Sequence, residues 1–135
     1  LLKIRSAVST SGAVKRTKKP MPAFKPGDVI KVPFPYGEKP AKQHRPALVV
    51  SSPELQEALG LLWVLMITSA KNKPWAGDVE VTHLEEAGLP APSVVRCAKV
   101  AAIEAAAASR IGSLGLAQLK LVSHMMQRAL GSSAS

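Results

Sequence analysis

The chain has 135 residues, with 18 Lys and Arg against 9 Asp and Glu, for a formal net charge of +9. Apolar residues make up 47%, enough to bury one core, while the length leaves no room for a second full domain. The longest apolar run, residues 61–67, is far too short to span a bilayer, and a single cysteine, Cys97, excludes an internal disulfide framework and a multi-cysteine zinc site.

The charge is unevenly placed. Residues 1–22 carry Lys3, Arg5, Lys15, Arg16, Lys18 and Lys19 and no acid, so two-thirds of the net charge sits in one short segment. That segment is rich in Ser, Thr and Gly and has no sustained apolar period, which predicts a disordered arm. Three readings fit it: a nucleic-acid-binding tail, a transit peptide, or an extension foreign to the working protein, since Met21 stands directly before a stretch that reads as a domain start. The expected division is therefore an arm over residues 1–22, one domain over 23–131, and a disordered tail over 132–135.

Phe24-Lys25-Pro26-Gly27-Asp28 is turn chemistry, and Val29-Ile30-Lys31-Val32-Pro33-Phe34 supplies a β-branched strand that Pro33 ends or confines to an edge. Residues 35–45 form a polar loop, and 46–51 a buried strand. Ser52-Pro53-Glu54 predicts a helix start, capped by Ser52, with an end near Gly60. Residues 61–69 are the strongest central strand. A loop over 70–77 leads to a shorter strand over 78–82, and residues 88–93 form a further loop. Residues 93–97 and 99–103 read as two strands or one bent strand, with the Ala-rich stretch 101–108 helical by propensity. Leu116, Leu119, Val122, Met126 and Leu130 recur at helical spacing and predict a C-terminal amphipathic helix. Five or six short strands and one helix suggest a small, mostly antiparallel α+β barrel.

An ordered series of motifs runs through this frame. Gly27-Asp28-Val29-Ile30-Lys31-Val32 precedes His44-Arg45-Pro46-Ala47-Leu48-Val49-Val50-Ser51; then come Ile67-Thr68-Ser69, Pro74-Trp75-Ala76-Gly77-Asp78-Val79, the block from Gly88 to Cys97, and Ile111-Gly112-Ser113-Leu114. Over roughly residues 24–131 the series resembles the MazF/PemK/Kid family, the ribonuclease toxins of bacterial toxin–antitoxin pairs. The resemblance implies an SH3-like barrel of the CcdB/PemK/MazF type that forms a homodimer in the bacterial cytoplasm. It implies cleavage of single-stranded mRNA without metal or other cofactor: the 2′-hydroxyl attacks the adjacent phosphate and leaves a 2′,3′-cyclic phosphate and a 5′-hydroxyl. It also implies an antitoxin whose acidic C-terminal segment covers the RNA groove.

Such chemistry asks for a base, an acid and a donor to the charge growing on phosphorus. Arg45 is the first candidate for the phosphate, because guanidinium is permanently charged and its fork matches two phosphate oxygens. Thr68, which stands where the family carries catalytic weight, and Ser69 offer neutral hydroxyls at a strand end. His44 is the proton-transfer candidate beside Arg45, with Glu38 as a second base candidate. Arg96 matches an arginine that the PemK/Kid branch uses in catalysis. That branch continues with Cys and Asp, whereas this chain reads Arg96-Cys97-Ala98, so the usual carboxylate is missing. Lys39, Lys42, Ser69, Tyr36 and Trp75 are the RNA-binding candidates, the two rings by stacking on bases; for Trp75, anchoring of its own loop is the stronger alternative.

Cys97 has no paired base in the sequence and reads as a small buried residue, and His83 and His124 lack ligand spacing, so no metal site is expected. Met125 and Met126 read as core or interface. Two rival functions remain: a weak or inactive module that binds RNA or protein on the same barrel, and a CcdB-like gyrase poison. No recognition-helix motif supports plain DNA binding.

Overall fold

A computed structural model describes residues 22–33 and 43–131. The predicted arm up to Met21, the tail 132–135, and the candidates Tyr36, Glu38, Lys39 and Lys42 lie outside the described residues.

The described chain runs β1 (Asp28–Pro33), β2 (His44–Val49), helix α1 (Pro53–Leu59), β3 (Leu61–Ser69), β4 (Asp78–Glu80), the short helix α2 (Leu84–Ala87), β5 (Ser93–Glu104), β6 (Ser109–Ser113) and helix α3 (Leu116–Ala129). Six strands form one antiparallel sheet in the order β4-β5-β3-β2-β1-β6. No ladder joins β4 to β6 among the described residues. The two edges are instead brought together by α2, which follows β4 in the chain and packs on β6. The expected α+β barrel is thus a sheet curled almost to closure, with a helix–strand seam where the last ladder would be.

The central strands are buried on both faces, which explains why β3 reads as a continuous apolar run rather than an alternation. Val29, Leu48, Leu65 and Ile67 face one core, covered by Leu119, Val122, Met125 and Met126 of α3. Ile30, Val32, Ala47, Val49, Val64 and Met66 face a second, closed by Phe24, Leu62 and Ala105. Leu116 and Leu130, predicted on the buried stripe of α3, are 70% and 65% exposed, because the first turn and the C-terminal end overhang the core.

The Ala-rich segment departs from its helical propensity. β5 is one bent strand whose register jumps from Arg96 opposite Met66 to Val100 opposite Leu65. Strand pairing with β3 continues to Glu104, and only Ala105–Ala107 forms a single 3-10 turn. Two further details differ from expectation. Ser52 precedes α1 but its hydroxyl caps nothing. The strand β6 has no clear apolar alternation, and its pairing with β1 is what makes it a strand.

A buried carboxylate fixes the N-terminal turn. Asp28, 1% exposed, accepts from the Arg110 guanidinium at 2.8 Å and the Lys25 backbone N–H at 2.9 Å. Burial acts to raise its carboxyl pKa, but those donors and the charges of Arg110 and Lys25 outweigh it and hold the group below its ordinary 3.8. The same bond raises the pKa of Arg110.

Candidate active site

A groove of about 750 Å³ opens where the first core face runs out. Lys31 and Pro46 stand directly opposite each other on β1 and β2, continuing the line of Val29 and Leu48 past the core. Arg45 follows on β2, and Thr68 and Ser69 end β3. Ser93 lies opposite Ser69 across the β3–β5 ladder. The far wall is apolar and proline-rich, built from Leu89, Pro90 and Pro92, with Ile111 of β6 behind it.

That wall depends on two glycines. Gly88 ends α2 at φ 74°, and a Cβ there would run into the backbone of Ile111. A Cβ at Gly112 would run into the backbone of Ala87 and Glu86. Only glycine allows α2 and β6 to approach this closely, and Gly88 also takes the left-handed conformation without strain.

Arg45 and Lys31 make no ion pair or hydrogen bond with any described residue. The hydroxyls, by contrast, are held. Asn72 Nδ2 donates to Thr68 Oγ1 at 2.6 Å, the Lys71 N–H donates to Ser69 Oγ at 3.1 Å, and the Asn72 N–H to the Ser69 carbonyl at 3.1 Å. The arrangement is a concave surface with two positive charges that no described residue pairs and with fixed hydroxyls, suited to a phosphate diester beside an apolar wall.

The structure separates the sequence candidates. Arg45, Thr68 and Ser69 come together in the groove. His44 is exposed at the start of β2, beside Arg45 but not lining the groove. Arg96 lies away from it, 7% exposed, and is fully engaged: its Nε and Nη2 donate to Asp78 at 3.2 and 3.0 Å, and Nη2 donates to the Lys73 carbonyl at 2.9 Å. Its guanidinium also stacks 4.4 Å from the centroid of the Trp75 ring, and the Trp75 backbone N–H donates to Asp78 at 3.0 Å. Trp75 therefore anchors its loop, while the residue stays 43% exposed.

Three groove residues were not singled out from the sequence: Lys31, Asn72 and Glu85. Lys31 had a signal, as a lysine set between the apolar Ile30 and Val32 of β1. Asn72 had a weaker one, its i, i+4 spacing from Thr68. Glu85 is one acid among several near α2 and nothing local marks it. Cys97 is 4% exposed, and burial, with the nearby Asp78 charge, pushes its thiol up to about 11. It is an inert core residue. No group of three or more His, Cys, Asp or Glu among the described residues could hold a metal ion. No described helix is long and apolar enough to cross a membrane.

Comparison with known proteins agrees with the fold. A MazE–MazF complex from Deinococcus radiodurans matches with a TM-score of 0.65 at 23% identity, covering 82% of this chain and 98% of that one. The Mycobacterium tuberculosis toxin MazF-mt6 matches at 0.61 and 22%, over 76% and 94% of the two chains. An endoribonuclease in complex with its cognate antitoxin, from Mycobacterial species, matches at 0.64 and 16%, over 85% and 100%. No curated protein gave a match. The profile described as PemK-like, MazF-like toxin of type II toxin-antitoxin system matches residues 25–130, and the chain belongs to that toxin family.

Proposed function

We propose that this toxin is an endoribonuclease that cleaves single-stranded RNA without a metal ion, and that residues 23–131 are its working unit. The observation that carries this reading is the Arg45 guanidinium, which pairs with no described residue, beside the Thr68 hydroxyl in one groove. The RNA 2′-oxygen attacks phosphorus, the P–O5′ bond breaks, and a 2′,3′-cyclic phosphate and a 5′-hydroxyl result. Arg45 spans two phosphate oxygens with its fork, Lys31 adds a second positive charge, and Thr68 and Ser69 supply neutral donors. Leu89, Pro90 and Pro92 give a neighbouring base an apolar surface.

Two described groups are candidates to take the 2′-proton: Glu85 in the groove wall, and His44, which adjoins Arg45 but does not line the groove. Replacing the group that does so, as His44→Ala or Glu85→Gln, lowers kcat about 10²–10⁴-fold, and replacing the other leaves it near wild type. Arg96 acts at one remove, by holding the loop over residues 70–77.

Arg45 and Lys31 also suit an acidic antitoxin segment, and relatives of the fold are known as a MazE–MazF complex and as an endoribonuclease with its cognate antitoxin. Trp63 and Val100, exposed at 52% and 56% on adjacent strands, offer an uncovered apolar face for a second copy of the chain. The bacterial cytoplasm is the compartment where mRNA and antitoxin would both be met.

The rival reading, a weak or inactive binding module, draws on the capture of Arg96 by Asp78 and the alanine at position 98. One assay decides. Purified protein is incubated with mixed RNA and the new 5′ ends are mapped. The expected result is 5′-hydroxyl ends at recurrent sequences, with Arg45→Ala slower by about 10²-fold or more. Equal cleavage by Arg45→Ala would remove the site assignment, and binding without cleavage would establish the rival.

A further inference from the structure

We propose that Asn72 is a positioning residue that fixes the hydroxyl of Thr68 as a hydrogen-bond donor toward the scissile phosphate. The inference rests on the RNA-cleavage reading above and adds a residue to it.

A threonine hydroxyl has one proton and two lone pairs, and its proton rotates to suit whatever acceptor is near. Left alone at a strand end, it would divide its time between water, backbone carbonyls and ligand. In this groove Asn72 Nδ2 donates into Thr68 Oγ1 at 2.6 Å. The amide occupies a lone pair, so the Thr68 proton must point elsewhere. Phosphate oxygens only accept, so a hydroxyl held in this way meets them in the right sense. A hydroxyl that accepts one hydrogen bond also becomes a better donor in the next.

Both partners are fixed before any ligand arrives. Thr68 is set in the β3–β5 ladder opposite Val94. Asn72 is set by the turn after β3, through its N–H to the Ser69 carbonyl at 3.1 Å, and the Lys71 N–H donates to Ser69 Oγ within the same turn. Thr68, Ser69, Asn72 and Arg45 all line the groove, so the donor that Asn72 orients stands on the same surface as the Arg45 guanidinium. Asn72 makes its contribution through Thr68 and need not touch the phosphate itself.

The test is a mutant cycle on the full chain, read as kcat and KM for cleavage of a short RNA substrate. Each variant is first checked for an unchanged melting temperature. Asn72→Ala is expected to lower kcat about 3–10-fold, the worth of one hydrogen bond, with KM little changed. Thr68→Val removes the hydroxyl while keeping the shape, and in that background Asn72→Ala should cost nothing further. Asn72→Asp presents only acceptors at the same position, pulls the Thr68 proton back toward itself, and should be slower than Asn72→Ala.

If wild type cleaves and Asn72→Ala matches it, the positioning role is overturned while the cleavage reading stands. A full Asn72→Ala effect persisting in Thr68→Val also overturns it, because Asn72 would then act by another route. Should Thr68→Val be too slow to measure, the comparison of Asp with Ala at position 72 decides: an Asn72→Asp enzyme as fast as Asn72→Ala overturns the role. Failure of wild type to cleave any RNA overturns both readings together.

Discussion

Arg45 and Arg96 carry the same charge on strands of one sheet, yet their surroundings give them different work. Arg45 has no partner among the described residues and faces a groove. Arg96 is closed in by Asp78, the Lys73 carbonyl and the Trp75 ring. The sequence did not distinguish them in this way, because Asp78 stands 18 residues from Arg96 and no spacing rule joins the two. Arg96→Ala leaves a carboxylate only 11% exposed without its counter-charge, so a loss of about 3–5 kcal/mol in denaturant unfolding is expected. In a Trp63→Phe background the emission of Trp75 should also move to the red. An unchanged spectrum and midpoint would show that the cluster holds nothing. Asp28 gives a pH test. Its folded pKa lies below 3.8, so its stabilisation is complete above that value and is lost as pH falls through the lower folded value. Asp28→Asn should therefore be less stable than wild type at pH 7 by about 2–3 kcal/mol, with the gap narrowing in strong acid. Cys97, with its thiol pushed up to about 11 and 4% exposed, should resist iodoacetamide at pH 8 in the native protein and react in guanidinium. Rapid alkylation of the native protein, followed by mass, would contradict that burial.

The elements whose patterns are local were legible. β3 occupies residues 61–69 as its apolar run predicts, and α1 begins at Pro53 and stops before Gly60. The elements whose existence depends on a neighbour were not. β6 and the strand half of the Ala-rich stretch are made by pairing with β1 and β3, and pairing overrides a helical propensity worth only tenths of a kcal/mol per residue. Edge protection is likewise invisible in a single segment. Gln118 of α3 donates to the Glu80 carbonyl at 2.5 Å and accepts from the Thr82 N–H at 3.0 Å, so one amide side chain occupies backbone groups along the β4 edge. Gln118→Ala should cost about 1–2 kcal/mol in denaturant unfolding and increase self-association, seen by light scattering. No change in either would mean that the edge is protected by other groups. At the seam, Gly112→Ala should cost about 1–3 kcal/mol from overpacking alone, and Gly88→Ala more, because its positive φ adds backbone strain. Melting temperatures of the two variants check the order.

At the scale of the molecule, the net charge of +9 is a poor guide to the site, because residues 1–22 hold six of those charges and the other 113 residues are only +3. Arg45 and Lys31, which have no partner among the described residues, matter more than the total. With Arg45 and Lys31 as the phosphate contacts, the RNA affinity of a chain lacking residues 1–20 should fall with salt at a log–log slope of about −1.4 per groove. A slope beyond about −3 would place the binding elsewhere. The motif series in the sequence led to the family and to Arg45 and Thr68. It did not lead to Lys31, Asn72 or Glu85, which reach the groove only because distant strands end at the same rim. The seam between α2 and β6 has one more consequence. A ladder of hydrogen bonds resists opening residue by residue, whereas two backbones touching through glycines separate without breaking any interstrand pair. Among the described residues β6 is paired only to β1, and β4 only to β5, so no ladder has to break for this line to loosen while the central strands stay paired. Amide protons of α2 and β6 should then exchange with solvent well ahead of those in β2 and β3. The groove wall lies along the same line, so any widening of the groove for a bulky polymer comes at the expense of the contacts that Ala87, Leu89 and Ile111 make with the first core.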